Sequence, residues 1–434
     1  MKKIRAIKWI KFLFITSNFL FFLVFYSNAL ATNLFQEPNQ VIQKINEYKG
    51  IVLDSNSKEP LAYADINISE TNIGTVSNNE GEFLLKVPSE YLDKTIMISL
   101  LGYIKKEIPI ALLKKENNKI LLDVSITELG FVNVYGIKDA EALVRATLDR
   151  KSEFYDDVQK NMTAFYRETI KNRNKNASLS EAILTIYKQP YSNNKHDNIS
   201  LLKSRKSTDY SRLDTLALKL QGGPFSTLST DLIKYPEYIF DNDNLSNYQF
   251  TLDKSTELNN RVVYVVNFKQ KIKNNDPLYY GKLYIDSQTL ALTSAVYNLN
   301  VENRDLVSTM FVRKKPNNVK VYPTLASYKV DYRTKNGKWY YGYSKIELTF
   351  KVNWKRKLFN SVYTLNSEMA ITDWKKTEEK NFSGEKLSPS VILTEKASGF
   401  SDPEFWGEYN IIEPEKSIEN AIKKINKQLE KANS

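Results

Sequence analysis

Residues 50–88 read GIVLDSNSKEPLAYADINISETNIGTVSNNEGEFLLKVP, and their spacing sets the fold class. From Ala62 to Ile68 the chain alternates, with Ala62, Ala64, Ile66 and Ile68 on one face and Tyr63, Asp65 and Asn67 on the other. A period of two is what a strand with one buried face requires. Gly50–Leu53, Ile73–Val76 and Gly81–Val87 are further short extended runs between polar corners. The corner Ser77-Asn78-Asn79-Glu80-Gly81 supplies Asx-turn formers and then a glycine that tolerates positive φ, the chemistry of a tight strand-to-strand turn. Asn78 and Glu80 also occupy two positions of a calcium loop, but the remaining acidic ligands are missing, so the stretch reads as a turn. Working outward, Thr95–Leu101, Ile120–Leu122 and Phe131–Tyr135 continue the series. Many short strands at intervals near ~10 residues predict an all-β sandwich.

Together with TIMISLLGYIKKEIPI at 95–110, this run resembles the carboxypeptidase regulatory-like domain, a transthyretin-like sandwich common at the N-termini of exported Bacteroidota proteins. The resemblance rests on Gly50, Val52, Asp54, Pro60-Leu61, Ala64, Gly74-Thr75, Gly81, Phe83, Leu85, Pro88 and Ser99 to Tyr103. Asn78 stands where that family usually has Asp, which weakens any metal reading further. The resemblance implies a non-catalytic appendage. A zinc carboxypeptidase needs His-x-x-Glu and a distant His, whereas the one histidine, His196, is followed by Asp197-Asn198-Ile199.

The start of the chain predicts export. Lys2, Lys3, Arg5, Lys8 and Lys11 precede an apolar run from Phe12 to Tyr26, broken by Thr16, Ser17 and Asn18, and Ala29-Leu30-Ala31 follows. A basic region, an apolar core and an A-x-A site make a secretory signal peptide with cleavage expected after Ala31. The alternative is an uncleaved anchor; the polar interruption and the A-x-A end favour cleavage. Without cysteine the 434-residue chain has no disulfides, thiolate metal ligands, cysteine nucleophile or lipid-modified cysteine. It must be held by burial, and 42% hydrophobic residues are enough for two cores. The net charge of +12 is dispersed among 50 acids, the pattern of a solvated surface. Nucleic acid is not an expected partner of an exported chain.

The second half is organised differently. Asp139 to about Ile170 has helical spacing, with Ala140, Leu143, Val144 and Leu148 on one stripe and Asp139 as N-cap. TAFYRET (163–169), SEAILTIYK (180–188), LLKSRKS (201–207) and DPEFWGEYNIIEPEKSIENAIKKI (402–425) resemble a group of Bacteroidota envelope proteins of unassigned biochemical function. Long alternating runs follow at 261–269, 279–285, 290–299, 325–333, 339–352 and 361–371, with hairpin corners at Asp286–Thr289 and Lys335–Trp339. Such strands in sequence predict a strongly curved antiparallel sheet, a half-barrel cupping a helix, with one helix preceding it and another closing. The closing helix would be Ser417–Leu429, with Ile418, Ile422, Ile425 and Leu429 on one face. This layout, with YYGKLYIDSQTLAL at 279–292, is similar to the LolA-like lipoprotein-carrier fold. A membrane barrel is rejected because charged residues fall on both faces, as in Ser344–Thr349.

The expected architecture is therefore mainly β: a transthyretin-like β-sandwich plus a larger α+β domain whose curved antiparallel sheet has flanking helices. The expected boundaries are signal peptide 1–31, leader 32–47, sandwich 48–136, helical connector 137–172, curved-sheet domain 173–410, and C-terminal segment with an amphipathic helix 411–434.

No motif specifies a reaction, a cofactor or a metal. His196 lies in a polar loop without an orienting partner for base catalysis. The paired acids Asp156-Asp157, Asp241 with Asp243, and Glu413 with Glu415 read as solvated loop acids. Gly222-Gly223 precedes Pro224 and lacks the lysine of a phosphate loop. The polar residues to inspect for ligand binding are Arg167, Glu168 and Arg205 of the Ser204–Ser207 cluster; an ion-paired structural arginine is the plainer reading of Arg167. In a strand, Arg167 and Glu168 point to opposite faces and cannot share one core. The 27 tyrosines suit half-buried strands or a stacking surface for sugars, and Trp406 and Tyr409 are expected to pack the C-terminal segment on the sheet. The functional expectation is an exported, non-catalytic binding or scaffold protein on the periplasmic side of the outer membrane. Envelope lipid, glycan or an outer-membrane protein are the expected partners, with peripheral membrane contact. The alternatives are a carrier using the concave face for lipid or lipoprotein, and a hydrolase of envelope glycan or peptide.

Overall fold

A computed structural model describes residues 44–125, 139–173, 175–208, 223–240, 245–271, 277–311, 317–355, 360–377, 385–399 and 405–420. The expected signal segment, the strand at 131–135, Asp241, Asp243 and the helix positions Ile422, Ile425 and Leu429 lie outside them.

The alternation at 62–68 becomes β2 (Asp65–Ile68), which pairs with β3 (Gly74–Val76) and β5 (Thr95–Ser99), and β5 with β6 (Lys106–Pro109). A second, three-stranded sheet orders β4 (Glu82–Pro88), β1 (Ile45–Asp54) and β7 (Asn118–Leu122), with β1 and β7 parallel. Ala64, Ile66 and Ile68 meet Val52, Phe83, Leu85 and Ile120 between the two sheets. At the corner, the Asn78 side-chain oxygen accepts from the N–H groups of Glu80 and Glu82, both at 2.9 Å, and Gly81 takes φ +74°. That oxygen is therefore committed to the turn.

Among the described residues the large sheet has eleven strands. β11 (Tyr248–Leu258), β12 (Arg261–Gln270), β13 (Tyr279–Asp286), β14 (Leu292–Leu299), β15 (Val319–Lys335), β16 (Lys338–Trp354) and β17 (Ser361–Lys376) run in sequence order. The sheet then continues through β8 (Lys160–Asn172), β9 (Lys175–Lys188), β10 (Asn198–Thr208) and β18 (Ser398–Gly399). All neighbours are antiparallel except β10 and β18. The Lys335–Trp339 corner is a two-residue hairpin in which Asn336 and Gly337 take φ 50° and 74°. Positive φ at both central residues is what lets the turn follow the strand twist.

Helix α1 (Ala140–Asp149) starts at Asp139, whose carboxylate accepts from Glu141 N at 2.9 Å, and α2 (Lys151–Phe154) follows it. The helical spacing read as far as Ile170 fails after Phe154: residues 160–172 are strand β8, so the sheet begins inside the expected connector. Thr163, Phe165, Tyr166, Thr169 and Ile170 are β-branched or aromatic, and β8 is paired along its length on both sides, by β17 and β9.

Residues 223–240, including α3 (Pro224–Leu228), fill the concave face. Thr227 meets Ser367 of β17, its carbonyl accepts from Ser344 of β16, Asp231 meets Lys188 of β9 and Tyr332 of β15, and Phe240 packs on Tyr248 and Phe268. These contacts run from β11 to β9, nine neighbouring positions. A flat sheet would place the outer two about 38 Å apart, at ~4.8 Å per strand. The segment from Asp231 to Phe240, which touches both, would reach only about 30 Å even if fully extended, and it is folded into turns and a 3-10 helix. The sheet wraps this segment as a half-barrel. Residues 416–420, which begin the expected closing helix, put Ile418 against Leu179. Leu179 is in step with Glu181 and Ile183, on the outer face.

The sandwich docks on that outer face. Residues 405–413 lie between the two layers, where Trp406, Ile411 and Ile412 join Val76 and Leu84 of the sandwich to Phe165, Ile183, Tyr343 and Ala370 of the sheet. Strand β8 is thus covered on both sides, and residues 162 and 164–170 are all buried.

Candidate functional site

Arg167 and Arg205 face the interdomain layer and share one carboxylate. Arg167 Nε donates to Glu181 Oε1 at 2.7 Å and Arg205 Nε to Glu181 Oε2 at 2.8 Å. Arg167 also pairs with Glu368 at 3.2 Å and donates to the Ile412 carbonyl at 2.7 Å, and Arg205 lies over the Trp406 ring. Burial alone would raise the Glu181 carboxyl, but the two guanidinium groups outweigh it and hold the group below its ordinary value. Trp406 stands edge-on to Phe165 at 5.6 Å. Glu168 points the other way, into the concave core, where its described partner is the Tyr166 hydroxyl at 3.0 Å. Burial pushes its carboxyl up to about 7. Arg167 and Glu168 do face opposite sides, yet both are buried, because each side has its own core. The structure brings Arg167 and Arg205 together and separates Glu168 from them.

A second network sits under residues 223–240. Lys188 Nζ bridges Asp197 at 2.8 Å and Asp231 at 2.7 Å; Tyr191 and Tyr332 donate to Asp231, and Tyr235 donates to Asp197. Burial would lower the Lys188 ammonium, but the two aspartates hold it above its ordinary value. His196 is exposed and stacks on Tyr235 at 5.7 Å. The acid pairs of the loops are engaged as well: Asp156 with Lys160, Asp157 with Ser192 N, Glu413 with Lys49 and Glu415 with Lys171.

An open concavity lies instead between the sandwich and the outer face of the sheet, with a volume of about 290 Å³. Asp65 and Met97 line it from one side, and Arg261, Lys329, Asp331 and Arg333 from the other. Asn259 and Asn260, at φ 53° and 60°, turn the β11–β12 hairpin in two residues and place Arg261 at the wall. Arg333 locks the two domains: it pairs with Asp65 at 2.5 Å and donates to the Ile371 carbonyl at 2.5 Å and the Thr75 carbonyl at 3.4 Å. Its stem crosses Gly342, where a Cβ would lie 2.8 Å from Arg333 Cγ. Burial raises the Asp65 carboxyl, with Arg333 opposing. Lys329 and Asp331 pair at 2.8 Å, and Ser294 donates to Asp331 at 2.6 Å.

No motif in the sequence singles out Asp65, Arg261 or Arg333. Asp65 was legible as a polar-face residue of an alternating strand, but nothing in a linear chain pairs it with an arginine 268 positions away.

Comparison with known proteins adds one assignment. Residues 48–134 match the family model of the CarboxypepD_reg-like domain. The match covers about a fifth of the chain and includes the sandwich wall of the cleft. No curated protein matches. Similar solved structures include an outer membrane lipoprotein-sorting protein domain from Vibrio parahaemolyticus, at 13% identity and TM-score 0.26, covering 56% of this chain and 95% of the other. They also include a DUF1329 family protein from Desulfovibrio piger ATCC 29098, at 11%, TM-score 0.23, 56% and 95%, and a LolA superfamily protein from Nitrosomonas europaea, at 8%, TM-score 0.20, 55% and 95%. At these scores the likeness carries no argument about what this chain does.

Proposed function

We propose that the chain is an exported, non-catalytic binding protein of the envelope, acting on the periplasmic side of the outer membrane, with its ligand in the interdomain cleft. The observation that supports this is a contrast in how charge is used. The acids and bases of the two buried networks are enclosed and engaged with one another, so none is poised to exchange a proton with a substrate. The cleft, in contrast, is built by two domains, the usual position for a small-molecule site. Native mass spectrometry of the protein purified from its own envelope fraction tests the reading. A co-purifying small molecule is expected; a clean apo mass that persists after envelope extract is added back would overturn it.

A second reading, a lipid or lipoprotein carrier, is favoured by the apolar concave face of the sheet, where Leu184, Ile186, Val266, Leu283 and Ile285 line one core. It requires residues 223–240 to leave that face. A bound mass that extracts into organic solvent, with faster hydrogen exchange at 223–240, would put this reading first.

A further inference from the structure

Resting on the reading of the cleft as a binding site, we infer that its ligand is a small acidic sugar whose carboxylate is held by Arg261. Two of the four cations in the cleft wall are neutralised within it, Arg333 by Asp65 and Lys329 by Asp331. Arg261 and Lys105 remain, one from each domain. Lys105 pairs with Glu107 at 2.7 Å. Arg261 has one acceptor among the described residues, Asp286 Oδ2, at 3.4 Å. The other oxygen of Asp286 caps its own turn, accepting from Gln288 N, Thr289 N and the Thr289 hydroxyl. A guanidinium presents five N–H donors in a rigid fork that matches a carboxylate bidentately. Nε and Nη2 have no acceptor among the described residues, and a third of the side chain is exposed at the cleft wall.

The rest of the wall suits a hydroxylated ring. Ser99, Asn259 and Thr334 bring hydroxyl and amide groups, while Met97 and the stacked Tyr63–Tyr343 pair, centroids 5.2 Å apart, offer apolar faces for ring C–H groups. The volume of about 290 Å³ is at the small end of ligand sites, which suits one or two sugar units rather than a polymer.

The test is calorimetric titration of the full chain with sodium digalacturonate, inorganic phosphate and neutral maltose. Saturable binding of digalacturonate is expected, weakened at least tenfold in Arg261→Gln and partly retained in Arg261→Lys, with unchanged thermal melts. Lys105→Gln, on the other wall, should weaken it by a smaller factor without touching the β11–β12 hairpin. Phosphate binding without digalacturonate would overturn the sugar, and equal binding of maltose, indifferent to Arg261→Gln, would overturn the anion anchor. If none of the probes binds while the envelope preparation still carries a small molecule, this inference falls and the binding reading survives. If both are blank, both fall.

Discussion

Arg167, Glu168 and Arg205 are the polar residues the sequence singles out, and all three are buried, the two arginines for one reason and the glutamate for another. Arg167 and Arg205 are tolerable inside because Glu181 pairs with both and Glu368 supplies a second carboxylate to Arg167. Breaking such a pair from one side leaves a buried charge without compensation, at a cost of about 3–5 kcal/mol. Glu181→Ala should lose stability on that scale in urea denaturation, and a loss under about 1 kcal/mol would mean water reaches the pair. Among the described residues no cation pairs with Glu168, and its carboxyl, raised to about 7 by burial, is protonated in the folded chain at acid pH. The unfolded chain releases that proton near the ordinary value of 4.5. Between those limits the folded state binds more protons, so stability falls as pH rises through the window and levels off above it, by about 3 kcal/mol in all. Glu168→Gln should remove this slope and be more stable than wild type at pH 8 when melting temperature is followed against pH. Parallel pH curves for the two proteins would contradict the assignment.

At the scale of elements, the misread segment is the instructive one. Residues 139–154 form helix where the spacing of Ala140, Leu143 and Val144 places it, but 160–172 carry an apolar or aromatic side chain at so many positions that helical and extended spacing cannot be told apart. Pairing with β17 and β9 decides it. The 405–413 segment is the reverse case: it has no strand or helix of its own, yet Asn410 imitates a strand neighbour. Its side-chain oxygen accepts from Lys86 N at 2.7 Å and its amide donates to Lys86 O at 3.1 Å. Asn410→Ala would leave both backbone groups unmet in a buried layer, each at ~1–3 kcal/mol. A loss of about 2–4 kcal/mol in chemical denaturation is the expected result; an unchanged midpoint would show that solvent substitutes for the side chain.

For the whole molecule, the sandwich and the sheet are joined by charge, stacking and a shared apolar layer, from Asp65–Arg333 to Val76, Leu84 and Trp406. Calorimetry should therefore show one unfolding transition for the wild type. In the double variant Arg333→Ala with Asn410→Ala the joint is cut at two distant places, and two resolved transitions are expected. Two transitions in the wild type would mean that the domains hold their stability separately.

The sequence by itself determined the elements whose pattern is local: the period-two strands of the sandwich, the Asx corner at Asn78, the Asn-Gly hairpin at 336–337 and the succession of long strands. It also removed whole chemistries, since a chain with one histidine and no cysteine cannot supply a three-histidine or thiolate metal site. Tertiary structure alone decided which of those strands would be covered twice, which charges would be paired, and where a cleft would open. Alternation reports the face a strand turns to its own sheet's core, but not whether another layer will arrive on the second face. That depends on the segments 223–240 and 405–413, whose sequences have no periodic signal. A buried charge, likewise, is defined by its partner: Glu181 meets Arg167 and Arg205 through strand register, and Asp65 meets Arg333 only when two domains dock.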